Sequence, residues 1–335
     1  MHILAGDIGG TNSRLIFAEA GEKSCHIIAE KSYPSAEFDG LLPVIDIFLA
    51  RHDLTAAIDA ACFAIAGPVE FGVAKVTNLP WVIEEQGLCQ HLQTPRVKLI
   101  NDLAAAAYGV LELEETDLLL MQAGLDRVKV TANPDAVVVA AGTGLGAAHC
   151  VWLNDHYQVL PSESGHGGFA PENAEQSELL TWLQKSHSHV SLEMLLSGRG
   201  LVTIYHFLRD VKGLTESSVV HDEMQQAEHA RVISEHGQTG DDVLCQKTLD
   251  IFVDIYGAAA GDIVLQHYPV SELYIAGGIA PKIKEKMLES RFIDAFVNKG
   301  LMLTNMKKVT VKLVMQEKAG LFGALSLART SLVSS

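Results

Sequence analysis

Cysteine and basic residues are scarce in this sequence, and each shortage argues against a class of protein. Five cysteines are spread through 335 residues without a C-x-x-C pair, which predicts free thiols in a reducing compartment rather than a disulfide framework. Lysine and arginine number 25 against 41 aspartates and glutamates, so the formal net charge is −16. Such a charge repels the phosphates of nucleic acids, and we expect no nucleic-acid partner.

Long apolar runs are missing as well. No stretch reaches the length of a membrane-spanning helix, and Met1 leads directly into MHILAGDIGG without the basic and apolar regions of a signal peptide. We therefore expect a cytoplasmic protein with no membrane partner. The hydrophobic fraction of 48% and the charged fraction of 20% are ordinary for a globular chain with a large core. The length favours two domains.

Two segments of similar pattern open the two halves of the chain. From His2 to Phe17 an apolar run enters a glycine-rich turn and leaves through a second apolar run, and the pattern recurs from Ala136 to Trp152. Both segments predict β-hairpins. The repetition favours two related domains, although two glycine hairpins in a chain with 28 glycines also arise without duplication.

Strands that alternate with helices in the rest of the chain predict an α/β fold. The predicted strands are at 60–66, 97–100 and 272–276. The predicted helices are at 103–111, 176–184, 192–211 and 243–266, with one more after Pro281. The polar interval 216–242 predicts surface helix and loop.

The first glycine turn lacks the spacing of the common nucleotide loops. Gly6 to Thr11 matches neither G-x-x-x-x-G-K-[ST] nor G-x-G-x-x-G, and a strand rather than a helix follows it. We expect its backbone N–H groups to face a phosphate, with further donors on Asn12 and Arg14, and Asp7 to bind magnesium through water. A tight turn without a ligand is the alternative interpretation.

A second turn and a pair of glycines offer a similar backbone surface. The turn from Gly142 to Gly146 has Thr143 between glycines, and two such turns can grip a polyphosphate. A later strand runs into Gly277-Gly278, where the backbone permits close approach by an aromatic base or a ribose.

These three elements, in this order, resemble the phosphate-1, phosphate-2 and adenosine motifs of the actin-like ATPase superfamily, which includes hexokinases and heat-shock chaperone ATPases. Asn101-Asp102 ends a predicted strand, where the sugar kinases of that superfamily have their catalytic Asp. The segment LPSESGHGGFAP at 160–171, with Glu193 further on, resembles the sugar-binding part of zinc-free bacterial glucokinases. The resemblance runs from Gly6 to the end of the chain. It implies an α/β fold of two actin-like ATPase (ribonuclease H-like) domains around a central cleft.

The resemblance assigns roles to individual residues. It implies that Asp102 is the catalytic base and binds substrate together with Asn101, Glu163, His166 and Glu193. The implied nucleotide ligands are in the glycine motifs: Gly6, Asp7, Ile8, Gly9, Gly10, Thr11, Asn12, Gly142, Thr143, Gly144, Gly277 and Gly278. The sequence departs from the family pattern at two places. Ser162 replaces the usual Gly, and Gly167-Gly168 replaces a pair such as Val-Asp.

Elementary chemistry supports these roles independently. A sugar hydroxyl is a poor nucleophile near neutral pH, and a carboxylate that accepts its proton accelerates attack by about 10²–10⁴. Carboxylates, a carboxamide and an imidazole match the donors and acceptors of a hexose. Structural alternatives exist: Asp102 as a helix cap, His166 as a loop histidine and Glu193 as an exposed carboxylate. Asn78 to Trp81 is a second candidate near the sugar, with a turn and a core Trp as its alternative.

The resemblance implies ATP-dependent phosphorylation of the 6-hydroxyl of glucose with Mg²⁺. No zinc is expected, because no cysteine follows His166 before Cys245. The implied domains are a small α/β domain at 1–112, completed by the C-terminal helix at about 308–335, and a large α/β domain at 113–307. We expect ATP and glucose as partners, and a homodimer. The rival functions are a sugar-responsive transcriptional regulator, a chaperone-like or cytoskeletal ATPase, and a kinase for another hexose such as mannose, fructose or an amino sugar.

Overall fold

The computed structural model describes residues 1–21, 24–125 and 133–332. The chain folds into two compact units. The first unit consists of Met1–Glu114 and Gln316–Ser335, and the second of Glu115–Met315. Strands and helices alternate in both units, so the predicted α/β class is confirmed.

The described residues form fourteen strands and twelve α-helices. The strands are β1 (His2–Ile8), β2 (Asn12–Ala20), β3 (Cys25–Pro34), β4 (Ala60–Ile65), β5 (Val69–Glu70), β6 (Val73–Lys75), β7 (Val82–Glu84), β8 (Val97–Asn101), β9 (Leu118–Gln122), β10 (Ala136–Ala141), β11 (Leu145–Leu153), β12 (His156–Ser162), β13 (Glu272–Ala276) and β14 (Thr310–Val314). The α-helices are α1 (Leu41–Arg51), α2 (Glu85–Leu92), α3 (Asp102–Val110), α4 (Ala174–Leu183), α5 (Gly198–Asp210), α6 (Ser218–Met224), α7 (His229–Thr239), α8 (Val243–Gln266), α9 (Lys284–Met287), α10 (Ser290–Val297), α11 (Leu303–Met306) and α12 (Ala319–Thr330).

The first unit is built on a five-stranded sheet with the order β3-β2-β1-β4-β8. β1 and β2 form an antiparallel hairpin, whereas β1, β4 and β8 run parallel to one another. Every residue of β4 is buried, as expected for a central strand covered on both faces. One face packs against α1, α2 and the small sheet β5-β6-β7, and the other packs against α3 and α12.

Helices α3 and α12 cross at close range because glycines meet at the crossing. A methyl group on Gly109 would lie 1.8 Å from the carbonyl oxygen of Ala319, and one on Gly323 would lie 1.8 Å from that of Ala105. Both distances are far below van der Waals contact, so only glycine permits this packing. The last helix is therefore part of the core of the first unit.

The predicted C-terminal boundary needs one correction. The sequence assigned residues from about 308 onward to the first domain, but Thr310–Val314 is strand β14, which pairs with β13 and β9 in the second unit. Helix α12 begins only at Ala319. Residues 333–335 of the predicted segment lie outside the described part of the chain.

The second unit is built on a six-stranded sheet with the order β12-β11-β10-β13-β14-β9. Its largest helix, α8, has 24 residues and packs its buried side chains into a core shared with α5, α7 and α10. The predicted helix 192–211 is interrupted: Leu192–Met194 is a 3₁₀ turn, and α5 begins only after Ser197. The hydroxyl of Ser197 accepts a hydrogen bond from Gly200 N at 3.1 Å, which caps the new helix.

The remaining sequence-based predictions of secondary structure are confirmed within one to three residues of the bounds given above. The polar interval 216–242 contains α6 and α7. All five cysteines are free thiols. Among the described residues, no helix combines the length and apolar character needed to cross a membrane.

Candidate active site

The first glycine turn connects β1 to β2, as the sequence predicted. Its loop closes through a hydrogen bond from Gly9 N to the carbonyl oxygen of Asn12 at 2.9 Å. Asp7 lies directly opposite Arg14 in the hairpin register. The turn thus places a carboxylate and a guanidinium beside the backbone of the glycine turn, a combination that suits the phosphates of a nucleotide and an associated cation.

Ser35 holds this turn from outside and was not predicted. Its hydroxyl donates to the carbonyl oxygen of Gly9 at 2.8 Å, and its N–H donates to that of Thr11 at 2.9 Å. The buried hydroxyl of Ser13 completes the cluster, 2.9 Å from Ser35 Oγ. Ser35 follows β3 and is far from the glycines in sequence, so no local pattern identified it.

Asp7 is half-buried at the carboxyl end of β1. Desolvation raises the pKa of its carboxyl group, the Arg14 guanidinium lowers it, and the nearby carboxylate of Asp102 raises it further. A methyl group on Gly320, in the first turn of α12, would lie 3.8 Å from the Asp7 carboxylate. The first unit therefore brings Asp7, Asp102 and the positive N-terminus of α12 into one neighbourhood.

Asn101, and not Asp102, is the residue that caps α3. Asn101 Oδ1 accepts hydrogen bonds from Leu103 N at 2.9 Å and from Ala104 N at 3.4 Å, and its Nδ2 donates to the carbonyl oxygen of Gly67 at 3.2 Å. Asp102 is the first residue of the helix, and its Oδ1 shares the Leu103 N–H at 2.8 Å. The interpretation of Asp102 as the cap is therefore wrong.

The pKa of Asp102 is raised, although the residue as a whole is exposed. Desolvation of the carboxyl group by surrounding protein is the largest cause, and hydrogen bonds from the Leu103 N–H, from its own N–H and from the Asn101 side chain oppose it. A carboxylate whose pKa moves toward neutral pH accepts a proton more readily.

The second glycine turn and the glycine pair adjoin each other in the second unit. The turn closes through a hydrogen bond from Gly142 N to the carbonyl oxygen of Gly144 at 2.8 Å. Ile279 N donates to the carbonyl oxygen of Ala141 at 3.2 Å. Gly277 has a φ of +86°, and a methyl group there would lie 2.3 Å from the Ala141 oxygen. The parallel strands β10 and β13 thus deliver both motifs to one edge of the sheet.

The segments that carry the predicted sugar ligands are joined by hydrogen bonds. Glu163 follows β12, and His166 N donates to its carbonyl oxygen at 3.0 Å. Leu192 N donates to the carbonyl oxygen of Gly167 at 2.9 Å, which fixes the 3₁₀ turn containing Glu193 against this loop. The second unit therefore brings Glu163, His166 and Glu193 together from two parts of the chain.

The two departures from the family pattern have structural consequences here. The hydroxyl of Ser162 lies 2.7 Å from that of Ser164 and donates to the carbonyl oxygen of Ala147 at 3.4 Å, so it fastens the start of the loop. Gly167 and Gly168 line a cavity of about 380 Å³ together with Glu163 and residues of α8.

The other candidate segment, Asn78 to Trp81, forms a turn followed by a core Trp, which was the alternative to a role near the sugar. Trp81 is 3% exposed, and its Nε1 donates to the carbonyl oxygen of Phe38 at 3.1 Å. Asn78 has a φ of +65° in an exposed turn. Trp81 is therefore a core residue of the first unit.

Asp7 is the residue predicted to bind a metal ion, through water. Within residues 1–21, 24–125 and 133–332, no group of three or more His, Cys, Asp or Glu side chains is arranged to hold a metal ion. A single carboxylate such as Asp7 suits a magnesium ion that keeps most of its water and is bound mainly by substrate phosphates.

The two units and their glycine turns define a two-domain α/β protein with the actin-like ATPase fold of sugar kinases. A sequence model of the family described as Glucokinase matches residues 4–331. A glucokinase of Nostoc sp. (strain PCC 7120) is 41% identical over 96% of this chain and 97% of its own length.

Solved structures agree with this match. The crystal structure of a glucokinase from an Antarctic psychrotroph has a TM-score of 0.84 at 33% identity and covers 98% of this chain and 99% of its own. A glucokinase from Balamuthia mandrillaris, solved in complex with glucose, has a TM-score of 0.79 at 22% identity, with 98% and 93% covered. The chain therefore belongs to the glucokinase family, whose members are ATP-dependent hexose kinases. The family and enzyme class predicted from the sequence are confirmed.

Proposed function

We propose that this chain transfers the γ-phosphoryl group of ATP to the 6-hydroxyl of D-glucose, with Asp102 as the general base. The family match over nearly the whole chain supports the reaction. One observation supports the role of Asp102 in particular: Asn101 caps α3, while Asp102 has a raised pKa at the start of that helix. The helix cap, which was the structural alternative for Asp102, is supplied by Asn101.

In the proposed step, one bond forms at the γ-phosphorus and one breaks. The 6-hydroxyl oxygen bonds to the γ-phosphorus, the bond from that phosphorus to the β,γ-bridging oxygen breaks, and ADP leaves with the electron pair. The hydroxyl proton passes to the carboxylate of Asp102. Its raised pKa suits this transfer, because a base is most effective when its pKa approaches the working pH.

We propose that the sugar hydroxyls are bound by Glu163, His166, Glu193 and Asn101. The oxygen and one N–H of the Asn101 amide are engaged with backbone groups, and its side chain also hydrogen-bonds the Asp102 carboxylate, so a sugar hydroxyl bound by Asn101 would share its second Nδ2 hydrogen with the proposed base. The carboxylates accept hydrogen bonds from hydroxyls, and each such charged bond contributes about 1.5–3 kcal/mol.

The nucleotide phosphates are proposed to bind to the backbone N–H groups of the turns 6–12 and 142–144, with 277–278 beside the adenosine. Asp7 fits a role toward Mg²⁺. Desolvation and the neighbouring Asp102 carboxylate disfavour the ionised form of its half-buried carboxyl group, and Arg14 is the nearby cation that favours it. A bound cation would favour the ionised form as well. When bound, Mg²⁺ would neutralise charge on the phosphates. Asp7 would hold it through water.

A coupled assay over a panel of hexoses tests the reaction. We expect ATP-dependent turnover of glucose, with mannose, fructose and glucosamine as poorer acceptors. EDTA should abolish turnover and excess Mg²⁺ should restore it fully, because the cation arrives with the nucleotide. Equal turnover of another hexose would contradict the assignment to glucose, and stoichiometric zinc retained through dialysis would contradict the metal assignment.

The variant Glu163→Gln tests the sugar site. The amide keeps the shape of the side chain but removes a charged acceptor, so the KM for glucose should rise by roughly tenfold or more. The KM for ATP should stay within about twofold, because the change leaves the glycine turns intact. Equal increases in both constants would instead indicate a structural role for Glu163.

The homodimer and the cytoplasmic location stay predictions. Free thiols at all five cysteines agree with a reducing compartment. Sedimentation velocity over a range of protein concentrations tests the homodimer, and a single species of 36.1 kDa at all of them would contradict it.

A further inference from the structure

Glu193 presents its two carboxylate oxygens to different surroundings. Oε2 accepts a hydrogen bond from Leu145 N at 3.0 Å, and Leu145 lies directly after Gly144 of the second glycine turn. Oε1 lies 4.0 Å from Nη2 of the exposed Arg199, and the Glu193 side chain is 25% exposed. One oxygen is thus committed to the turn, and the other faces the Arg199 guanidinium on a side chain that is partly exposed.

The packing around Leu145 leaves this arrangement little freedom. A methyl group on Gly144 would lie 2.5 Å from Glu193 Oε2, so the carboxylate rests directly on the turn. A methyl group on Gly165, between Glu163 and His166, would lie 2.0 Å from the carbonyl oxygen of Leu145. Both segments proposed to hold the sugar therefore press on the residue that ends the phosphate turn.

A further hydrogen bond ties the turn to the same part of the chain. Gly198 N, at the start of α5, donates to the carbonyl oxygen of Gly142 at 3.0 Å. The turn is consequently held at both ends by residues 193–198. Glu193 binds Leu145 N through its side chain, whereas Gly198 binds Gly142 through its backbone.

We infer that Glu193 is a positioning residue for the phosphate turn as well as a sugar ligand, and that it couples sugar binding to nucleotide binding. This inference rests on the proposed function for its sugar contact. A hydroxyl that donates to Oε1 fixes the carboxylate in the rotamer that holds Leu145 N. The turn is then ordered before the nucleotide arrives, and the nucleotide loses less conformational entropy on binding. Linkage requires the effect to be mutual.

The first test measures the affinity of a non-hydrolysable ATP analogue with Mg²⁺ in the absence of sugar. Glu193→Ala removes the acceptor for Leu145 N and should weaken analogue binding by roughly 5- to 10-fold, as expected for one lost hydrogen bond. Glu193→Gln retains an oxygen that can accept this bond and should stay within about twofold of the parent. Glu163→Ala is the matched control on the sugar side and should leave analogue affinity unchanged.

The second test repeats the titration at saturating glucose. In the parent, glucose should tighten analogue binding by at least about fivefold, the lower end of ordinary coupling. In Glu193→Gln the amide oxygen is committed to Leu145 N and the NH₂ group cannot accept a hydrogen bond from a sugar hydroxyl, so the ratio should fall toward one, as it should in Glu193→Ala. Amide hydrogen exchange of 142–146 should slow on glucose addition in the parent and in neither variant.

The outcomes separate this inference from the proposed function. If the parent phosphorylates glucose but Glu193→Ala binds the analogue as tightly as the parent, the positioning role is overturned while the reaction stands. If Glu193→Ala weakens the analogue but glucose tightens it equally in all variants, the coupling is overturned. Loss of analogue affinity in Glu163→Ala as well would show a general structural effect and would also overturn it. A parent without glucose turnover would remove the proposed reaction, and the sugar-free titration would still decide the positioning role.

Discussion

Replacing Asp102 with Asn separates the chemical role of this residue from every structural role. Asn101 supplies the helix cap through Leu103 N and Ala104 N, and this cap is untouched by a change at 102. An Asn at 102 can still accept from Leu103 N through its amide oxygen. It cannot accept the proton of a sugar hydroxyl, so only the base is lost.

The substitution should affect catalysis and stability in opposite directions. Loss of a general base lowers kcat by about 10²–10⁴, and a hundredfold loss corresponds to about 2.7 kcal/mol in the activation barrier. Because desolvation raises the pKa of Asp102 above 3.8 in the folded state, its contribution to stability is complete below that value and declines as the pH rises through the folded pKa. At pH 7 the neutral amide should therefore melt at the same temperature as the parent or higher.

The assay pairs kcat for glucose phosphorylation with melting curves at pH 7 and pH 4 on the same preparations. The gain in melting temperature of Asp102→Asn over the parent should be smaller at pH 4 than at pH 7, because protonation of the parental carboxyl removes the cost of burying its charge. Asp39→Asn, an exposed carboxylate of the same unit, is the matched control and should change neither quantity. Asn101→Ala should lose about 1 kcal/mol of stability, because it removes the cap.

A clear result would refute the reasoning. If Asp102→Asn melts normally and retains more than about a tenth of the parental kcat, the loss is smaller than removal of a general base should cause. Asp102 would then leave the mechanism, and the search for a base would pass to Glu163 or Glu193.

Two further predictions concern stability. The rings of His149 and His267 stack at 4.7 Å, and burial lowers the pKa of both. Below about pH 6.5 the unfolded chain therefore binds more protons than the folded chain, so the parent should lose stability as the pH falls. His149→Phe keeps a ring in the stack, and its urea midpoint should fall less between pH 7.5 and 5.5; an equal fall would contradict the prediction. Gly109→Ala should destabilise by about 2–3 kcal/mol or more, because its methyl group would meet the carbonyl oxygen of Ala319 at 1.8 Å. A methyl group on Gly87 in α2 meets open space, so Gly87→Ala should stabilise the protein by about 0.5–1 kcal/mol in the same melting assay. Equal changes in stability for Gly109→Ala and Gly87→Ala would rule out the close helix crossing.

The hairpins and most helices could be predicted because their signals are local. Glycines between two apolar runs indicate a turn between strands, and apolar residues at helical spacing indicate a buried helix face. The break before α5 had a local signal too, in the Ser197 cap and the glycines of SGRG. The sequence-based prediction of one helix over 192–211 gave more weight to apolar spacing than to that cap.

The cap of α3 shows where local reasoning fails. Asn101 and Asp102 are adjacent and have similar capping preferences. What distinguishes them is the length of β8, which continues to Asn101 because that residue pairs with Ile65 in the neighbouring strand. The pairing depends on a segment more than thirty residues away, so the sequence around the helix start does not specify which residue is the cap.

The supporting contacts of the site were missed for the same reason. Ser35 holds the first glycine turn from the end of β3, and Glu193 reaches Leu145 across 48 positions of the chain. Serine and leucine have no distinctive pattern at these positions. Chemistry-bearing residues could therefore be predicted from motifs, whereas the contacts that position them required the tertiary structure.

The crossing of α3 and α12 constrains the order in which the protein acquires its structure during synthesis. The first unit consists of Met1–Glu114 and Gln316–Ser335, so its amino-terminal part leaves the ribosome about 200 residues before its last helix. At roughly 5–20 residues per second, this interval is about 10–40 s. Throughout that time the sheet face formed by Ile3, Ala5, Ala60 and Ala64 lacks the apolar side chains of α12 that cover it. The second unit, which is continuous from Glu115 to Met315, can complete its core first, and the segment translated earliest is among the last to reach its final packing.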